Sequence, residues 1–143
     1  DSWTASRQAR AAAYGRSFRD RGLDHVLTLP VASPSHCHVW NQYTIRVPDG
    51  RRDELKHHLD AAQIGTAVYY PQPLHLQECF SSLGYVEGSL PETERAASEV
   101  LSLPIFPELT DAEQQRVGDQ QGHGDEQRNR AVHLPTNLAR ARR

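Results

Sequence analysis

The chain has 143 residues, enough for one domain of ordinary size and too few for two. Its formal charge is -2, with 11 basic and 15 acidic side chains over residues 1–117 and 5 and 3 over residues 118–143, so no dense Lys/Arg face points to nucleic acid. No apolar run is long enough to cross a bilayer, and the start lacks the basic, apolar, small-residue order of a secretory signal. The two cysteines, Cys37 and Cys79, make no disulfide framework, so a cytoplasmic protein with reduced thiols is expected.

From Trp3 to about Arg21, apolar and long side chains recur at three- or four-residue steps (Trp3, Arg7, Ala11, Tyr14, Phe18), which predicts an amphipathic helix stopped by Gly22. A short strand is expected at Val26 to Leu29. A longer one follows from His38 to Val47, with Val39, Asn41, Tyr43, Ile45 and Val47 on one face. Pro48-Asp49-Gly50 reads as a turn, and Asp53 to Ala62 as a helix burying Leu55, Leu59 and Ala62. Thr66 to Tyr70 is β-rich and short, and a brief helix is expected through Phe80 and Leu83. Ser89 with Glu92, and Thr110 with Glu113, have capping-box spacing. They predict two helix starts, the first opening a helix that carries Ala96, Ala97, Val100 and Leu101. Beyond Val117 the apolar pattern fails at Gly118, so residues 118–143 read as a polar, disordered tail after an ordered domain at residues 1–117.

Several side chains invite chemistry. His36, Cys37 and His38 suggest a metal, with His75 or the His57-His58 pair completing it, but the usual zinc spacings are absent and no metal site is expected. A Cys37–His dyad has no oxyanion-hole signature beside it. The segment YYPQPLHLQ, Tyr69 to Gln77, is different. Pro71 and Pro73 fix two φ angles, so little entropy remains to be lost on binding, and Tyr70 and His75 offer donors or acceptors on rigid supports. The residues alone leave two readings open: a recognition surface for a hydroxylated or anionic ligand, or a connection whose Tyr and Leu side chains fill a core.

In order along the chain, HVWNQYTIRV, RDELKHHLDAAQIGTAVYYPQPLHLQECFSSLGY, LPETERAASEVLSLPIFPEL and TDAEQQRV resemble the C-terminal part of DegT/StrS sugar aminotransferases. IGT-x-x-YYP-x-PLHLQ and SLPIFPELT are the most specific pieces. The resemblance implies a small α+β domain, an antiparallel sheet flanked by helices, preceded by the end of the helix joining it to a large domain. It also implies that the complete enzyme is a dimer using pyridoxal phosphate to move an amino group from glutamate or glutamine onto a keto-sugar nucleotide. Carried over by motif, Tyr70 and His75 face cofactor and sugar, with Tyr69 and Pro73 as supporting wall, and this region supplies substrate wall and dimer contacts. In the family the cofactor pocket and its lysine belong to the large domain. Lys56, the only lysine here, falls on an exposed helical face, so this chain on its own is expected to be a catalytically silent fragment. The reading from another class is a non-catalytic module that recognises a sugar nucleotide or a partner protein.

Overall fold

A computed structural model describes residues 1–132, with side chains along the last helix described through Gln121. The elements are α1 (Ser2–Asp20), a 3₁₀ turn (Leu23–His25), β1 (Tyr43–Arg46), α2 (Arg52–Ala61), two further 3₁₀ turns (Leu74–Leu76, Glu78–Leu83), α3 (Pro91–Glu99), β2 (Val100–Leu103) and α4 (Asp111–Val132). It is an α+β fold: a small antiparallel sheet flanked by helices.

β1 pairs antiparallel with β2, Tyr43 opposite Leu103 and Ile45 opposite Leu101. Single bridges widen this ribbon on both sides, Thr28 against Arg46 and Ala67 against Ser102. Because side chains alternate along a strand, Tyr43, Ile45, Leu101 and Leu103 share one buried face, while Thr44 and Ser102 share the other. The buried face packs on α1 through Ala11, Tyr14 and Phe18, whose spacing places them on one helical stripe. Tyr14, Phe18 and Tyr43 form a ring cluster with centroids 4.9–6.4 Å apart, and burying each ring contributes ~1.5–3 kcal/mol. The Tyr14 hydroxyl donates to the Pro104 carbonyl at 2.9 Å, and burial pushes this phenol well above its usual range.

Several expectations change. The strand from His38 to Val47 shrinks to Tyr43–Arg46, because α1 takes the upstream carbonyls: Arg7 Nε donates to Val39 O at 2.8 Å, and Gln8 Nε2 to His38 O at 3.0 Å. Trp40 then turns the chain with φ 50, and Asn41 is exposed instead of facing the core. The strand at Val26 to Leu29 is reduced to the Thr28 bridge. Leu23 and Leu27, four apart and both buried, are joined instead by a helical hydrogen bond of 2.8 Å. Val100 and Leu101 belong to β2, not to the preceding helix. Gly22 stops α1 as expected, in the left-handed region at φ 67, and the Thr110–Glu113 box opens α4: Glu113 Oε2 accepts from Thr110 N at 2.9 Å, and Thr110 Oγ1 accepts from Glu113 N at 3.3 Å.

Gly118, expected to interrupt the last helix, lies inside it. The helix continues to Val132; the rest of the expected tail, residues 133–143, is outside the described residues. Val117 and Gln121 are buried on the face of α4 that meets the rest of the domain, and Gln114 Nε2 donates to Arg10 O on α1. Gly118 is there for close approach: a Cβ at this position would lie 2.9 Å from Ser17 Oγ on α1.

This approach yields a double-mutant test. Gly118→Ala gains helix propensity of ~1 kcal/mol but drives Ser17 Oγ from its place, so it should lower stability in the native background. In a Ser17→Ala background the same change should become neutral or stabilising. Equal effects in both backgrounds, measured by denaturant unfolding, would remove this contact from the account of α1–α4 packing.

Candidate functional site

After Ala67 pairs with Ser102, the chain leaves the sheet and enters the Tyr69–Gln77 segment. A single 3₁₀ turn closes it on itself: Leu76 N donates to Pro73 O at 3.0 Å, Gln77 N to Leu74 O at 3.1 Å, and Gln72 Nε2 to Leu76 O at 2.8 Å. Tyr69 and Tyr70 stand out from it, 55% and 64% exposed. Between this segment, α3 and the polar sheet face lies a cavity of about 370 Å³, lined by Tyr69, Tyr70, Pro73, Thr44, Ser102 and Thr93, with Leu74 and the small side chains of α3 among its apolar members. On its floor Thr44 Oγ1 and Ser102 Oγ share a hydrogen bond of 2.8 Å. An apolar cleft with a few convergent hydroxyls suits a hydroxylated ligand with a flat or apolar part.

The structure brings three of the four residues named from the sequence, Tyr69, Tyr70 and Pro73, to this cavity. His75 is not on its wall. The imidazole is 7% exposed and turned toward α3, where Nε2 lies 2.9 Å from Glu94 Oε1, with the Tyr85 ring edge-on at 5.9 Å. Since an ionised carboxylate only accepts, Nε2 is the protonated nitrogen, and Nδ1 is left buried with no partner among the described residues.

Glu94, which sequence reasoning missed, organises this region. Its carboxylate accepts from Gly88 N at 2.8 Å, from Leu90 N at 3.2 Å and from His75. One side chain on α3 thus fixes both the Tyr69–Gln77 segment and the loop entering the helix. It also replaces the expected Ser89–Glu92 box: Ser89 Oγ accepts from Val86 N instead, Glu92 pairs with Arg95, and Leu90 caps α3 with no side-chain bond. The Gly88 amide first, then the His75 hydrogen bond, hold the Glu94 carboxyl below its usual range, although partial burial opposes them. The only sequence signal was a second acid in LPETE, outside the capping-box spacing from Ser89.

The other candidates are dispersed. His38 Nδ1 accepts from Trp40 N at 3.0 Å, His36 lies beside Ser35, and Gln8 Nε2 donates to Cys37 Sγ at 3.3 Å. His57 and His58 are exposed on α2, and both cysteines are free and exposed. Among the described residues no three His, Cys, Asp or Glu side chains converge as a metal site would need, and no helix is long and apolar enough to cross a membrane. Lys56 Nζ is ion-paired with Asp60 at 2.7 Å along α2 and lines no part of the cavity.

The lowered pKa of Glu94 fixes the sign of a pH test. A carboxylate whose native value is depressed stabilises the fold fully above the unfolded value, ~4.3, and that contribution is lost as pH falls through the native one. The amide resonances of Gly88 and Leu90 should therefore titrate below the ordinary carboxylate range. Glu94→Gln should abolish the titration, and His75→Ala should move it upward. A midpoint at or above the ordinary range would contradict the arrangement.

Comparison with known proteins identifies the family. The profile of the DegT/DnrJ/EryC1/StrS aminotransferase family matches residues 1–121. The chain is 52% identical over 117 residues to the pleiotropic regulatory protein of Geobacillus stearothermophilus, covering 82% of this chain and 31% of that one. It is 44% identical over 119 residues to the dTDP-3-amino-3,4,6-trideoxy-alpha-D-glucose transaminase of Streptomyces venezuelae, covering 83% and 30%. Among solved structures, S. venezuelae DesV in complex with a ketimine intermediate superposes with a TM-score of 0.79 at 40% identity, covering 88% of this chain and 33% of that one. NtdA of Bacillus subtilis with bound cofactor PMP gives 0.73 at 29%, covering 85% and 28%. The chain therefore spans about a third of the length of the relatives it matches. With the sequence profile over residues 1–121, close relatives and fold in agreement, it belongs to the DegT/DnrJ/EryC1/StrS aminotransferase family.

Proposed function

We propose that this chain is the small-domain part of a cytoplasmic, pyridoxal phosphate-dependent aminotransferase that acts on a keto-sugar nucleotide, with glutamate or glutamine as amino donor. Its own share is recognition: Tyr69, Tyr70 and Pro73 form the substrate-side wall, and His75 supports that wall from behind through Glu94. The observation that carries this reading is the pair of exposed tyrosines, held over the Thr44–Ser102 hydroxyls on a segment stiffened by two prolines. Aromatic rings kept in the open on a rigid support bind with little further ordering cost.

The cofactor is another matter. It calls for a desolvated lysine with a depressed pKa and a phosphate cradle at a helix start. Lys56 is the only lysine in the sequence and is tied to Asp60 on α2, away from the cavity. The residues of this chain do not fit pyridoxal phosphate, and no step through it is assigned to them. The lysine would come from the large domain, which the exposed apolar side chains Phe80, Leu83, Tyr85 and Val86 would meet, either in the same polypeptide or across a homodimer. The same patch supports the second reading, a non-catalytic interaction module.

Complementation separates the two. The purified chain should show no lysine-bound cofactor absorbance and no amino transfer. Mixed with the lysine-bearing two-thirds of a family member such as the S. venezuelae transaminase, it should restore transfer to that enzyme's sugar nucleotide. Tyr70→Ala should lower the restored kcat/KM by about tenfold, or ~1.4 kcal/mol in transition-state binding. Indifference to the added domain would favour the interaction module.

A further inference from the structure

A second cavity, of about 290 Å³, lies on the α1 side of the sheet, between α1, the Leu29-Pro30 stretch and Trp40. Its walls carry an imbalance. Arg16 and Arg19 line it from α1 and no acidic side chain does; neither guanidinium has an acceptor among the described residues. Tyr43 lines it from β1. That residue is only 2% exposed, yet its hydroxyl donates to no described residue, whereas the neighbouring Tyr14 hydroxyl has the Pro104 carbonyl. The ring is buried but its hydroxyl oxygen is not sealed from solvent, so it is free to bond a molecule in the cavity.

Two further features keep the cavity open. Arg19 folds back over Gly15, where a Cβ would lie 3.4 Å from its Nη1, so the absence of a side chain at this helical position leaves the guanidinium room. Trp40, which forms the opposite wall, holds a left-handed backbone at φ 50 that a bulky residue avoids unless the surroundings impose it. The imposing contacts are Arg7 Nε on Val39 O and His38 Nδ1 accepting from Trp40 N.

We infer that this cavity is a binding site for a small oxyanion, a carboxylate or phosphate borne on a flat or apolar body. Arg16 and Arg19 supply the charge, the Tyr43 hydroxyl supplies a directed hydrogen bond, and the Trp40 indole supplies the wall. Guanidinium groups match both oxyanions in geometry. The site lies across the sheet from the Tyr69–Tyr70 cavity and does not depend on the function proposed for it.

The test uses the full chain with Trp3→Phe, which leaves Trp40 as the sole indole. Its emission is followed at constant ionic strength during titration with inorganic phosphate, L-glutamate, uridine diphosphate and, as a neutral control, glucose. A saturable change with phosphate or uridine diphosphate alone identifies a phosphate site, and one with glutamate a carboxylate site; glucose should do nothing. Binding should weaken at least tenfold in Tyr43→Phe, which keeps the core ring, and in Arg16→Gln/Arg19→Gln, which alters only exposed side chains. The absence of a saturable response to any of the three anions overturns the inference, as does a response that survives the arginine substitutions. Should Tyr43→Phe fail to fold, the arginine variant alone decides.

Discussion

Tyr43 and Thr44 are consecutive residues of β1 and point to opposite faces of the ribbon. One enters the ring cluster under α1, and the other enters the floor of the Tyr69–Tyr70 cavity. Everything else follows from that alternation being held in register. A slip of one residue would turn Tyr43 and Ile45 out of the core and bury Thr44 in their place. Two features oppose such a slip: the apolar facing pairs Tyr43–Leu103 and Ile45–Leu101, and the hydroxyl bond between Thr44 and Ser102, which exists only in this pairing. A four-residue strand thus separates two environments, an apolar one that stabilises the domain and a hydroxyl-bearing one open to a ligand.

The region between residues 69 and 90 is ordered by different means. It adds one buried side chain, His75, and lies outside the main apolar cluster, so hydrophobic burial contributes little to its order. Restricting so long a segment costs conformational entropy on the order of 1–2 kcal/mol per residue, which Pro71 and Pro73 reduce by limiting the unfolded chain as well. The remaining constraint is polar. Glu94 gathers three donors, the nearby Gly88 and Leu90 amides and the imidazole of His75 nineteen residues upstream, and charge-assisted hydrogen bonds of this kind are roughly twice as strong as neutral ones. Arg52 does similar work at the other end of α3, where its Nη1 donates to the Ala97 and Val100 carbonyls at 3.2 Å.

What was legible in the sequence was what depends on near neighbours. The Ala11, Tyr14 and Phe18 part of the α1 stripe (Trp3, expected on it, is exposed), the Gly22 stop, the Asp49-Gly50 turn with both φ values positive and the Thr110–Glu113 box all rest on residues within a turn or two of each other. So does the stiffness of the Tyr69–Gln77 segment, three of whose four named residues reach one cavity. Most of the failures come from distant groups. Alternation through His38 to Val47 gave no sign that Arg7 and Gln8, some thirty positions upstream, would take the carbonyls a strand needs. Capping-box spacing at Ser89 could not compete with a carboxylate already bound to Gly88 and Leu90. Gly118 carries the same letter whether it ends a helix or lets one approach Ser17; only the presence of α1 decides.

The separation of the two ordering mechanisms bears on how a chain a third the length of its relatives can present a site at all. The ring cluster and the strands beneath it draw on residues between Ala11 and Val117. The surface next to the candidate site does not close: Leu83 and Val86 remain 64% and 66% exposed. A loop held by apolar packing alone would gain by folding such side chains inward, filling the cavity with its own residues. Here the Glu94 bonds and the two prolines deny it that freedom, because turning Leu83 or Val86 inward would require the Gly88 and Leu90 amides to leave the carboxylate and lie unpaired. An apolar surface is thereby kept open, and the tyrosines beside it keep the orientation that the proposed recognition requires.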